Sequence, residues 1–180
     1  ASRLRENGAP PRRIHNNCSG KHVGLLSTAV YRAEVTRGYL HQEHPVQRRV
    51  GNVLSQMSGA ELVRAPVGVD GCGIPVIGLP LHALALGMAR FGTGSGLGAA
   101  RSRGAQRLYQ AMVREPFMVA GTGRWTTAAI ETGEGQFVVK TGAEGVCCAT
   151  VPSLGLGMAL KIDDGAARAA EAVMSELLAR

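Results

Sequence analysis

Apolar residues recur at helical spacing twice in the first third of the chain. Val23, Leu26 and Val30 form one stripe, and Val46, Val50, Val53 and Met57 form another. They predict helices over 21–33 and 46–57, with Pro45 in the first turn of the second and Gly59 closing it. Residues 67–76, Val-Gly-Val-Asp-Gly-Cys-Gly-Ile-Pro-Val, read as one short strand broken by glycines. Helices over 80–91 and 99–114 flank a Gly/Ser/Thr loop, and Pro116 ends the second. Gly121-Thr122-Gly123 then turns the chain into a short helix. Strands over 136–140, 146–151 and 156–162 follow, the first two joined by Thr-Gly-Ala-Glu-Gly as a hairpin-like loop. Asp163-Asp164-Gly165 starts a last helix over 166–178. At the other end, residues 1–13 read as a helix already under way and a Pro-Pro turn. Helices, three consecutive strands and a terminal helix predict an α/β (α+β) chain, one domain over 1–180, with a mainly antiparallel sheet packed on helices.

Composition narrows the function classes. With 180 residues the chain can bury a core, and 45% hydrophobic content argues against disorder. No uncharged apolar run reaches the ~18 residues that suggest a membrane span. The opening Ala-Ser-Arg-Leu-Arg-Glu has no hydrophobic stretch of a signal peptide behind it, so a fragment of a longer protein is expected. Four cysteines without a secretory signal point to reduced thiols and a cytoplasmic location. Cys147 and Cys148, in an apolar strand, read as small core residues. The net charge of +7 comes from arginines scattered over several helices. Three Phe, three Tyr and one Trp are too few for a base-stacking platform, so no nucleic-acid partner is expected.

The densest chemistry lies in His15-Asn16-Asn17-Cys18-Ser19-Gly20-Lys21-His22-Val23-Gly24. Ser19 or Asn17 could cap the helix that follows, placing Cys18 at its positive end beside Lys21, where thiolate is favoured. Cys72 follows Asp70 by two residues, so in a strand both face one side. Two thiolates suit zinc, and a lysine can join them only when neutral. Two other readings use the same residues. Cys18 as nucleophile with His22 as base, one helical turn apart, describes a thiol amidohydrolase. A non-catalytic basic binding module needs neither. Farther on, Lys140-Thr141-Gly142 leaves a strand as the Lys-Thr-Gly of serine β-lactamases and penicillin-binding proteins does, but no Ser-x-x-Lys precedes it.

Together these segments resemble the bacterial L-asparaginase II family of the Rhizobium etli type (class 3). The matching stretches are His-Asn-Asn-Cys-Ser-Gly-Lys-His at 15–22, Gly-Tyr-Leu at 38–40, His-Pro-Val-Gln at 44–47, Val-Asp-Gly-Cys-Gly-Ile-Pro at 69–75 and Leu-Pro-Leu at 79–81. Val-Ala-Gly-Thr-Gly-Arg at 119–124, Lys-Thr-Gly-Ala-Glu-Gly at 140–145 and Ala-Leu-Lys-Ile-Asp-Asp-Gly at 159–165 continue them. The resemblance implies a fold similar to serine β-lactamases and glutaminases, and hydrolysis of L-asparagine to aspartate and ammonia. It implies zinc held by Cys18, Lys21 and Cys72, a substrate site lined by His22 and Asp70, and Lys140 as a general base paired with a serine. The family's nucleophile motif, Arg-Ser-x-x-Lys-Pro, and its Ser-His-Ser-Gly-Glu segment lie upstream of the Cys-Ser-Gly-Lys motif and are not among these 180 residues. An N-terminally truncated member is therefore expected, with its unaided activity left open. Faces uncovered by the missing segment favour pairing into a homodimer, or aggregation.

Overall fold

The computed structural model describes residues 2–180, with side-chain burial from Leu4 onward. Ala1 lies outside the described residues, and the helix expected at the start of residues 1–13 is present over Ser2–Glu6. Two compact units are distinguished: the chain up to Asn52 with Ala65–Gly78, and Val53–Arg64 with Leu79–Arg180. Among the described residues, no helix is long and apolar enough to cross a membrane.

The first unit begins with a short helix, α1 (Ser2–Glu6), and a 3-10 turn at Arg13–His15. Helix α2 (Ser19–Tyr31) starts two residues before the predicted one, and its buried side is not the expected stripe. Ala29 is fully buried, while Val23 and Val30 are 58% and 67% exposed. Partly buried His22, Leu25 and Leu26 share the Ala29 side at spacings of three and four. Helix α3 (Pro45–Ser58) begins at the proline as predicted. Val46 and Gln47 are buried, and Gln47 Nε2 donates to the Tyr39 carbonyl at 2.8 Å. Instead of one broken strand, residues 67–77 form a hairpin: β1 (Val67–Val69) pairs antiparallel with β2 (Pro75–Ile77), Val67 opposite Ile77 and Val69 opposite Pro75. The turn closes because Gly73 takes φ +86°, a left-handed conformation that glycine adopts without steric cost.

The polar connection between α2 and α3 is tied down by an ion pair and by side-chain hydrogen bonds to the backbone. Arg49 forms a two-pronged pair with Glu34, and His44 Nε2 donates to the Val35 carbonyl at 2.7 Å while Nδ1 accepts from the Val46 N–H. Arg49 holds the Glu34 carboxyl below its ordinary range, chiefly through the hydrogen bonds. A carboxyl depressed by folding contributes stability above its unfolded pKa of about 4.3, and that contribution is lost as pH falls through the lower folded value. Glu34→Gln is therefore expected to lower the urea midpoint at pH 7 and to flatten its decline in acid. Parallel midpoint-versus-pH curves for the two proteins would remove Glu34 from the acid response.

The second unit stacks helices on both sides of a three-stranded antiparallel sheet. The strands β3 (Val138–Thr141), β4 (Val146–Val151) and β5 (Leu156–Lys161) lie in the order β3-β4-β5. The register sets Val138 opposite Thr150 and Thr150 opposite Gly157, so these three share one face. Helix α4 (Leu81–Thr93) lies on that face, so close that a Cβ on Gly157 would stand 2.0 Å from the Ala85 carbonyl oxygen. The opposite face presents Val139, Cys147, Ala149, Met158 and Leu160 to a core shared with Tyr109, Ile130, Ala170 and Met174. Tyr109 belongs to α5 (Ala99–Arg114), found where predicted, and a short helix, α6 (Pro116–Ala120), follows it. Ile130 comes from α7 (Trp125–Thr132), and Ala170 and Met174 from α8 (Ala167–Leu178). Arg90 on α4 donates to the carbonyls of Gln56 and Met57, whose orphan C=O groups end α3. Mixed helices with small antiparallel sheets agree with the expected α/β class.

Candidate functional site

The first unit gathers four of the predicted residues. Asp70 leaves β1 and opens the hairpin turn, where its N–H donates to the Ile74 carbonyl and its own carbonyl accepts from Gly73 at 2.7 Å. The turn, rather than the alternation of a strand, thus brings Cys72 back toward the Asp70 side chain. Asp70 Oδ2 accepts from Lys21 Nζ at 2.9 Å and from the Cys72 thiol at 3.5 Å, and Oδ1 accepts from the Gly71 N–H at 2.8 Å. Cys18 joins them from the start of α2. The sulfurs of Cys18 and Cys72 and a carboxylate oxygen of Asp70 all lie within 4.8 Å of one another.

The helix start differs from the expectation in a way that bears on the site. Cys18 itself occupies the N-cap position, and neither Ser19 nor Asn17 caps the helix through its side chain. Asn16 Oδ1 instead accepts from the Cys18 N–H at 2.8 Å, pinning the cysteine just before the first turn. Lys21, three residues on, projects along the same end of the helix toward the hairpin.

The electrostatics correct the reading of Cys18 as a ready thiolate. Burial and a hydrogen bond with Cys72 push the Cys18 thiol up, and the nearby Lys21 ammonium only partly offsets them. Its charge is directed to Asp70. The Lys21 hydrogen bond holds the Asp70 carboxyl below its usual range, with the Cys72 thiol and the Gly71 N–H adding to it. Burial works against the Lys21 ammonium, yet the hydrogen bond and charge of Asp70 outweigh it and raise its pKa. This arrangement favours the ammonium of Lys21, the carboxylate of Asp70 and the protonated thiol of Cys18.

His22 lies one turn beyond Cys18 on α2 and is half-buried. Its Nδ1 is 2.6 Å from the Tyr39 hydroxyl, and the two rings meet edge-to-face with centroids 5.7 Å apart. Tyr39 is a residue to which the sequence reading assigned no role, although it stands in the Gly-Tyr-Leu segment at 38–40. A lone aromatic in a polar connection carries no periodic signal, and only tertiary contact reveals it. The imidazole is thus engaged by a phenol, and the Cys18 sulfur by Cys72, so the pair needed for a Cys18–His22 nucleophile is not formed among these contacts.

Lys140 belongs to the second unit. It lies near the end of β3, exposed, opposite Cys148, and its Nζ donates to the Thr141 carbonyl at 2.5 Å. Thr141, next along the strand, points to the other face and shares a hydrogen bond of 3.1 Å with the buried Thr126 hydroxyl of α7. Cys147 lies in the core, where burial pushes its thiol up to about 12, and Cys148 is also raised by burial. Cys147 conforms to its reading as a small core residue, whereas Cys148 is only partly buried.

Compared with known families, the whole chain, residues 1–180, matches the family model described as L-asparaginase II. No curated protein matches it.

Proposed function

The chain belongs to the L-asparaginase II family, and on that premise we propose that it hydrolyses L-asparagine to aspartate and ammonia in a fold similar to serine β-lactamases and glutaminases. The observation that carries the site assignment is the convergence on Asp70 of Lys21 and Cys72, with the Cys18 sulfur in the same cluster.

The chemistry follows from what these groups can offer. Asp70 is an ionised carboxylate at a hairpin tip, suited to hold the α-ammonium of an amino-acid substrate once Lys21 yields its place. His22, kept in position by Tyr39, lines the same substrate site from α2. Lys140 carries an amine at an exposed strand end, where it moves the proton of an attacking serine hydroxyl. The serine oxygen bonds to the amide carbon, ammonia leaves with that proton, and water then cleaves the resulting ester to aspartate. No Ser-x-x-Lys segment occurs within these residues, so the proposed route draws its attacking hydroxyl from beyond them.

The donor set fits zinc. Two thiols within 4.8 Å of each other and of a carboxylate are soft ligands of the kind that zinc selects. Cys18, Lys21 and Cys72 would hold the ion, which when bound supplies a fixed positive charge that orients the substrate. To serve there, Lys21 gives up both its proton and its ion pair with Asp70. Metal content measured by mass spectrometry on the purified chain tests this. About one zinc per chain is expected, lost in Cys72→Ala, as removal of a ligand weakens a metal site severely. A folded chain with no zinc would overturn the ligand assignment, and no ammonia from asparagine by the protein carrying its serine would overturn the activity.

A further inference from the structure

We propose that Cys18 and Cys72 are an oxidisable dithiol, which closes to a reversible disulfide when the protein meets a peroxide. The two thiols come from distant parts of the sequence, the start of α2 and the tip of the β1–β2 hairpin, yet their sulfurs lie within 4.8 Å. A disulfide requires a sulfur separation of about 2.05 Å, so only a small approach is needed. The hairpin tip can supply it. A Cβ at Gly71 would meet nothing within 4 Å, and Gly73 already occupies a conformation in which the backbone turns sharply.

Access separates this pair from the other two cysteines. Cys18 and Cys72 are partly exposed, whereas Cys147 is fully buried in the core of the second unit. Cys148 is partly exposed, but its thiol donates to the Lys140 carbonyl, and its neighbour Cys147 projects to the opposite face of the strand. A peroxide therefore finds one accessible sulfur with a second thiol beside it.

The reaction balances with one peroxide per pair. One sulfur attacks the peroxide oxygen, the O–O bond breaks, and a sulfenic acid and water form. The second sulfur then attacks the first, its thiol proton leaves with the hydroxyl as a second water, and the S–S bond forms. The two sulfurs are together oxidised by two electrons and the peroxide is reduced by two. A dithiol reductant restores both thiols. If the metal reading of the previous section holds, the same bond removes two zinc ligands, but the disulfide itself does not depend on that reading.

The test treats the full chain, after chelation, with hydrogen peroxide, followed by intact mass measurement and peptide mapping. A species two hydrogens lighter is expected, with one cross-linked peptide joining Cys18 to Cys72 and reversed by dithiothreitol. Cys18→Ser and Cys72→Ser, checked for folding by circular dichroism, should abolish the cross-link, and Cys148→Ser should retain it. Sulfinic or sulfonic acids on separate cysteines without a cross-link would overturn the proposal, as would a cross-link through Cys147 or Cys148. Zinc content of the untreated chain separates the two readings. A cross-link in a chain that never held zinc supports the dithiol and removes the metal assignment. Zinc without any cross-link does the reverse.

Discussion

Gly157→Val is expected to strip the second unit of the layer formed by α4 and the sheet. A Cβ at this position would stand 2.0 Å from the Ala85 carbonyl oxygen and 2.3 Å from the Ala89 nitrogen. Both are backbone atoms of a helix, so no rotamer change relieves the contact, and α4 must move off the strand. Overpacking of this kind costs about 3 kcal/mol or more. For a chain of this size that corresponds to a fall in Tm of about 6–12 °C. Gly104→Ala in α5 is the matched control. Its Cβ would meet nothing within 4 Å, and alanine in a helix gains about 0.5–1 kcal/mol over glycine. Thermal unfolding of the two variants followed by circular dichroism should show shifts of opposite sign. A Gly157→Val protein as stable as the parent would mean that α4 does not rest on β5.

On the proposed serine–lysine route, Lys140→Met is expected to lower kcat for L-asparagine by about 10²–10⁴-fold, the usual contribution of a positioned general base. The fold should survive. The side chain is exposed, and its one hydrogen bond is to the adjacent Thr141 carbonyl, so nothing in the core depends on it. Ammonia release under saturating asparagine, with circular dichroism alongside, reads the two effects separately. A loss below tenfold would remove Lys140 from the proton-transfer role. Lys140→Arg is informative as a companion. It keeps the charge but holds its proton far above neutral pH, so a base role predicts no rescue, whereas simple charge stabilisation predicts substantial rescue.

Local pattern and tertiary packing left different parts of this protein legible. Helix α5 and strand β4 appear with the predicted bounds because proline, glycine and turn residues punctuate them in the sequence itself. Residues 67–76 read in sequence as a single broken strand, whereas the structure folds 67–77 into a hairpin. Three glycines in six residues signal a sharp turn, but whether the flanking residues pair with each other depends on contacts that alternation does not encode. On α2, apolar spacing singled out Val23, Leu26 and Val30, while the structure buries Ala29 and exposes both valines. A helix with apolar residues on several sides has no unique inner face until its neighbours are in place.

The same division runs through the site. By itself the sequence singles out the candidates, Cys18, Lys21, His22, Asp70, Cys72 and Lys140, from residue chemistry, spacing and resemblance. It also determined the family, since those motifs recur in order along the whole chain, as the match over residues 1–180 shows. Only the tertiary structure decided how the residues meet. It closed a turn so that Cys72 faces Asp70 and brought α2 to the hairpin tip. It also paired Lys21 with the carboxylate and set Tyr39 against His22. It decided the charges too, because a thiol's pKa depends on burial and on its neighbours. At Cys18 the helix terminus and lysine visible in the sequence are outweighed by a desolvation and a second sulfur that appear only on folding.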